Sequence, residues 1–78
     1  MVAIHVLSAR YAQNENPDET TTWTFGVLLD QAVEGHQRWI VETADPVLIA
    51  QLHSAYREKS HTSINIDLLV DAAINAVD

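Results

Sequence analysis

"TTWTFGVLLD", residues 21–30, is the stretch on which the fold turns. Trp23, Phe25, Val27 and Leu29 occupy alternate positions, with Thr22, Thr24, Gly26 and Leu28 between them. Successive side chains of a strand point to opposite faces, so this period of two puts four large apolar groups on one side of a sheet. Aromatic and β-branched residues fit a pleated, half-buried surface, which makes this the clearest strand in the chain. Gly26 inside it marks a bulge or a close backbone approach.

Residues 2–12, "VAIHVLSARYA", alternate in the same way. Val2, Ile4 and Val6 share one face, and Ala3, His5, Leu7, Ala9 and Tyr11 share the other. "QNENPDET", residues 13–20, has no apolar side chain except Pro17, and its Asn, Asp and Pro favour turns, so it reads as a loop. On the other side, "RWIVET", residues 38–43, is a third strand with Trp39 and Val41 opposite Arg38, Ile40 and Glu42. The intervening "QAVEGHQ", residues 31–37, is long enough for a hairpin loop, with Glu34, Gly35 and His36 at its tip. Gly35 supplies the positive φ that such a turn wants.

At "TADPVLIAQLHSAYREKS", residues 43–60, the period changes. Asp45 is a good N-cap, and Pro46 suits the first helical position, where its missing N–H costs nothing. Leu48, Ile49, Leu52, Ala55 and Tyr56 recur at three- and four-residue steps and form one apolar stripe. Arg57 and Lys59 complement the dipole in the last turn, so a helix is predicted over 46–59.

The tail "SINIDLLVDAAINAVD", residues 63–78, carries two signals. Ile66, Leu69, Val70, Ala73, Ile74 and Val77 form a helical stripe opposite Asp67, Asp71, Asn75 and Asp78, with Asn65 as cap and Asp67 in the first turn. The alternation across "TSINID", residues 62–67, reads as a fourth strand instead. The stripe favours a helix over 65–77. The expected fold is therefore one α+β domain spanning 1–78: a two-layer arrangement of a three-stranded antiparallel sheet, in βββαα order, with two C-terminal helices packed on one face. Trp23, Phe25, Val27, Leu29, Trp39 and Val41 line the covered face. The uncovered face carries Thr22, Thr24, Leu28, Arg38, Ile40 and Glu42, with Leu7 and Tyr11 beside them.

Composition narrows the function. With 78 residues, the surface scaling law leaves about 60% of the chain's surface buried, one thin core with little room for a deep enclosed site. The 47% hydrophobic and 19% charged content is that of a globular chain. There is no cysteine, which excludes disulfides and cysteine-rich zinc sites. "MVAIHVLSARY" is interrupted by His5, Ser8 and Arg10, which disfavours a signal peptide or membrane span, and a soluble, cytoplasmic protein is expected. Eleven acids against four bases give a net charge of −7. The bases, Arg10, Arg38, Arg57 and Lys59, are too scattered to track phosphates, so direct nucleic-acid binding is disfavoured, and anionic membranes would repel the chain.

Catalytic motifs are lacking. The four histidines form no His-x-x-x-His pair and no His-Glu-x-x-His motif. His53, His61, Asp67 and Asp71 are the first residues to test for a metal, although no metal or other cofactor is expected. Ser8, Ser54, Ser60 and Ser63 sit in no nucleophile motif, and two glycines cannot make a phosphate-binding loop. Tyr56 and Arg57 beside His53 make a polar-aromatic patch of the kind found at interfaces.

These features point away from an enzyme and toward a protein-binding domain: a small acidic inhibitor occupying a basic, nucleic-acid-handling face of a larger protein. Complementary charge would speed such an encounter and set its orientation. Glu15, Asp18 and Glu19 in the loop, Glu34 at the hairpin tip, and Asp67 and Asp71 are the acids expected to make it. In size and charge alone the chain is similar to phage-encoded inhibitors of bacterial defence such as anti-CRISPR proteins, and no motif identifies a family. The alternatives are a homo-oligomeric accessory subunit, a symmetric homodimer through the uncovered sheet face, and, less favoured, a metal-dependent enzyme.

Overall fold

The computed structural model describes residues 2–13 and 21–77. Their elements run β1 (Val2–Gln13), β2 (Thr21–Val33), β3 (His36–Thr43), α1 (Pro46–Glu58), β4 (His61–Ile64), α2 (Ile66–Ala72) and β5 (Ala73–Ala76). The strands form one antiparallel five-stranded sheet in the order β4-β1-β2-β3-β5.

The alternation of β2 has the consequence its sequence predicts. Phe25, Val27 and Leu29 are buried on one face together with Val2, Ile4 and Val6 of β1 and Trp39 and Val41 of β3. Leu48, Leu52 and Ala55 of α1 and Leu69 of α2 close over them, with Ile64 of β4 at the edge, in a single apolar cluster. Trp23 packs at the margin of this cluster, partly buried.

The three-stranded sheet with two C-terminal helices is corrected by this structure. Residues 61–64 form an edge strand beside β1, and residues 73–76 form the other edge, beside β3. A three-stranded sheet would leave the outer N–H and C=O groups of both β1 and β3 without sheet partners. Two four-residue strands satisfy part of each row and keep the new edges short.

The predicted helix over 65–77 starts where expected. The Asn65 side chain accepts the Asp67 N–H at 2.8 Å, and Leu69 N–H donates to the Asn65 carbonyl. It ends after Ala72 rather than reaching Val77. An acid stands in its last turn, at Asp71, with no cation there to offset the dipole. The chain passes from one edge of the sheet to the other, four strand spacings or about 19 Å, and the seven-residue helix covers about 10 Å of that. The residues after Ala72 lie along the free edge of β3 and pair with it. Ala73 and Ala76 lie opposite Val41 and Trp39, and Val77 N–H donates to the Arg38 carbonyl at 2.8 Å. Ile74 and Val77, expected on the buried stripe of a helix, are exposed.

β1 also departs from simple alternation. Val6 faces Val27 and Ser8 faces Gly26, so Leu7 is an extra residue in the ladder. Such a bulge reverses the facing of whatever follows. Ala9 and Tyr11 consequently lie opposite Phe25 and Trp23 on the helix-covered side, and the Tyr11 ring meets the Trp23 ring edge-on at 5.5 Å. Tyr11 is thus not on the uncovered face. Gly26 sits beside the bulge, where an added Cβ would come within 2.7 Å of the Ser8 hydroxyl oxygen. The glycine marks both a bulge and a close approach.

The hairpin is tighter than the sequence suggests. β2 continues to Val33 and β3 begins at His36, leaving only Glu34 and Gly35 in the turn. α1 follows its predicted span except at the end, where Lys59 is not helical but caps it in the left-handed region at φ 57°. The Lys59 ammonium lies 4.6 Å from the centre of the Tyr56 ring.

Asn75, exposed and opposite Ile40, distinguishes the strand from the helix. Valine and asparagine have similar helix propensity, whereas valine favours strands and gains a cross-strand contact. Asn75→Val is expected to raise stability by about 0.5 kcal/mol, measured by denaturant unfolding. An unchanged or lowered midpoint would argue for the helix.

Candidate functional site

Where β3 hands over to α1, the backbone is fixed by its own side chains. The Thr43 hydroxyl accepts the Asp45 N–H at 3.0 Å. Asp45 in turn accepts the Val47 N–H at 3.0 Å, and Ile49 N–H closes the first helical bond onto the Asp45 carbonyl at 2.9 Å. Pro46 follows the cap at the first helical position. α2 packs against β3 nearby, anchored by buried Leu69, which leaves Leu68 and Asp71 on its outer side.

These elements enclose an open groove of about 300 Å³, lined by Glu42, Thr43, Ala44 and Asp45, by Leu48 of α1, and by Leu68, Asp71 and Ala72 of α2. The Asp45 and Asp71 side chains and a short apolar strip lie along this concavity, and no basic residue lines it. Glu42 borders the groove from β3, and its carboxylate is turned to the helix-free face, where the Thr22 hydroxyl donates to its Oε2 at 3.0 Å. Arg57 and Lys59 stand at the opposite end of α1, with Glu58 between them. The chemistry this groove offers is acceptance of hydrogen bonds from a cation, with apolar contact for the stem of a lysine or arginine.

Of the six acids expected to meet a partner, Asp71 lies in the groove. Asp67 is exposed in the first turn of α2, one turn from Asp71, and does not line it. Glu34 is exposed at the hairpin tip with φ 52°. Glu15, Asp18 and Glu19 lie outside the described residues. Asp45 was legible only as a helix cap, and its place beside Asp71 comes from the crossing of α2.

The aromatic and imidazole groups are distributed differently from the sequence expectation. His53 and His61, proposed with Asp67 and Asp71 as first metal candidates, face different neighbours. The His53 ring lies 4.9 Å from Trp23 under α1, while His61 lies 5.1 Å from His5 across β4 and β1. His36 meets Trp39 edge-on at 6.0 Å, and the Trp39 indole N–H donates to the His36 carbonyl. Among the described residues, no group of three or more His, Asp or Glu is placed to hold a metal ion. In the patch around His53, Tyr56 packs its ring against the core and Arg57 is exposed.

The helix-free sheet face carries Thr24, Leu28, Ile40 and Glu42, all partly buried, with exposed Arg38 and buried Thr22. Leu7, at the bulge, is 46% exposed. No helix among the described residues is long and apolar enough to cross a membrane.

No protein-family model, no curated protein and no solved structure matches this chain. Its function therefore has to be argued from the groove, the sheet face and the charge.

Glu34 separates a conformational role from a binding role. Glu34 and Gly35 both have positive φ, the pattern of a two-residue hairpin turn that prefers Asn-Gly. Glu34→Asn is expected to raise the thermal midpoint, by about 0.5–1 kcal/mol of stability. A lowered midpoint would mean that the glutamate side chain is itself required for the turn.

Proposed function

We propose that this chain is a non-enzymatic protein-binding domain, an inhibitor that occupies a basic, nucleic-acid-handling face of a larger protein. The observation that carries the reading is the groove lined by Asp45 and Asp71 beside Leu48 and Leu68, with Glu42 at its β3 border. Arginine and lysine side chains that normally meet phosphates find carboxylates there, and their methylene stems find apolar contact. The net charge of −7 adds long-range attraction, which raises the association rate at low salt. Asp67 and Glu34 are exposed outside the groove, and Glu15, Asp18 and Glu19 add to the negative charge.

Three substitutions remove the groove's charge while keeping its shape. Asp45→Asn retains an equally good helix cap, Glu42→Gln retains an acceptor for Thr22, and Asp71→Asn is exposed. The test is affinity capture from host lysate with the wild-type and triple-variant chains. A nucleic-acid-binding protein recovered by wild type, lost with the triple variant and released by salt, is expected. Equal recovery by both chains, or recovery insensitive to salt, overturns the reading.

A second reading rests on the open sheet face. Leu28 and Ile40 are only partly covered there, and among the described residues no helix lies over that side of the five-stranded sheet. A symmetric homodimer would bury that face. Sedimentation should then show a dimer that Ile40→Glu converts to a monomer. A monomeric wild-type chain at high concentration removes this alternative.

A further inference from the structure

We infer that His5 and His61 form a two-imidazole site for a first-row divalent transition ion, with zinc as the probe that reveals it. The two residues are direct register partners in the antiparallel pairing of β1 with β4. Facing residues of adjacent strands carry their side chains on the same face of the sheet, with Cβ atoms about 4.5–5.5 Å apart. Here that face is the one without helices, and the ring centres are 5.1 Å apart at an interplanar angle of 79°.

The spacing matches what a tetrahedral ion requires. A Zn–N bond is about 2.0–2.1 Å, and a ring nitrogen lies about 1.2 Å from its ring centre, so each ring centre sits about 3.2 Å from the metal. Two such ligands at the tetrahedral angle have centres about 5.2 Å apart. The backbone need not move. Rotation about χ2 turns each imidazole about an axis through its own centre, so the nitrogens are re-aimed without changing the 5.1 Å separation, and His61 is exposed while His5 is half-buried.

The surroundings favour a borderline ion bound by nitrogen. Across the sheet from His61 and His5, the same row continues to Leu28 and then Arg38. Leu28 is apolar, and Arg38 stands two strands from His5, roughly 10 Å away. Magnesium and calcium need oxygen ligands, whereas imidazole suits zinc, nickel and copper. Two protein ligands leave the remaining positions to water or to a donor from another molecule. The ion would also clip β4, an edge strand of four residues, to β1.

The experiment titrates ZnCl₂ into the purified full chain and reads heat, thermal midpoint and the imidazole NMR signals. Wild type is expected to take up one zinc per chain, with a midpoint that rises with zinc and with the His5 and His61 signals moving together. His61→Ala, at an exposed position, should lose at least tenfold in affinity together with the midpoint shift, and His36→Ala should keep both. His5→Asn gives a second arm that does not depend on His61. Unchanged zinc affinity in His61→Ala overturns the site, as does a zinc response confined to His36 or His53. An equal midpoint rise with MgCl₂ also overturns it.

Discussion

The burial of Phe25, Val27 and Leu29 on one face of β2 is the constraint from which the remaining packing follows. β2 is the middle strand of five, and these three side chains are no more than 2% exposed. Pairing on either side transmits their facing to Ile4 and Val6 and to Trp39 and Val41, because directly opposed residues share a face. Both helices are then obliged to lie on that side, since nothing else covers it. A one-residue slip in either ladder would turn a row of apolar groups into water, so register and core are specified together.

The one-sided covering also distributes the chemistry. α1 begins at the Asp45 cap beside the groove and ends at Arg57, Glu58 and Lys59, where both signs of charge are present. The helix-free face carries paired imidazoles at one edge and apolar side chains in the middle. Different surfaces are thereby available for different contacts. A chain of this size has little interior to give to an enclosed site, and its surface is where selectivity has to reside.

Much of this was legible in the residues. The strand at 21–30, the cap at Asp45, the proline after it and the cap at Asn65 are local signals, and each acts as its local chemistry dictates. The two edge strands were harder. "AINA" has the spacing of a helix and becomes a strand because β3 offers unpaired backbone and the chain arrives there after a short crossover. The alternation of "TSINID" was visible, but only the free edge of β1 makes it a strand. Leu7 could not be identified as the extra residue, because β1 alternates without interruption as a sequence and the interruption lies in its pairing. Sites assembled across elements share this difficulty. Asp45 and Asp71 belong to different segments, and His5 and His61 are 56 positions apart, so their proximity is a property of the topology.

The bulge in β1 also bears on how the chain could vary in length. Leu7 is the one position in the β1–β2 ladder that has no counterpart opposite it. Its removal would leave Val2, Ile4 and Val6 inward, and Ala9 and Tyr11 as well, with an unbroken ladder in place of a kinked one. Loss of a residue elsewhere in the paired part of β1 would instead invert one end of the strand relative to the other. The extra leucine is therefore a joint between two reading frames of the same strand, and the point at which evolution could lengthen or shorten β1 without turning its core outward.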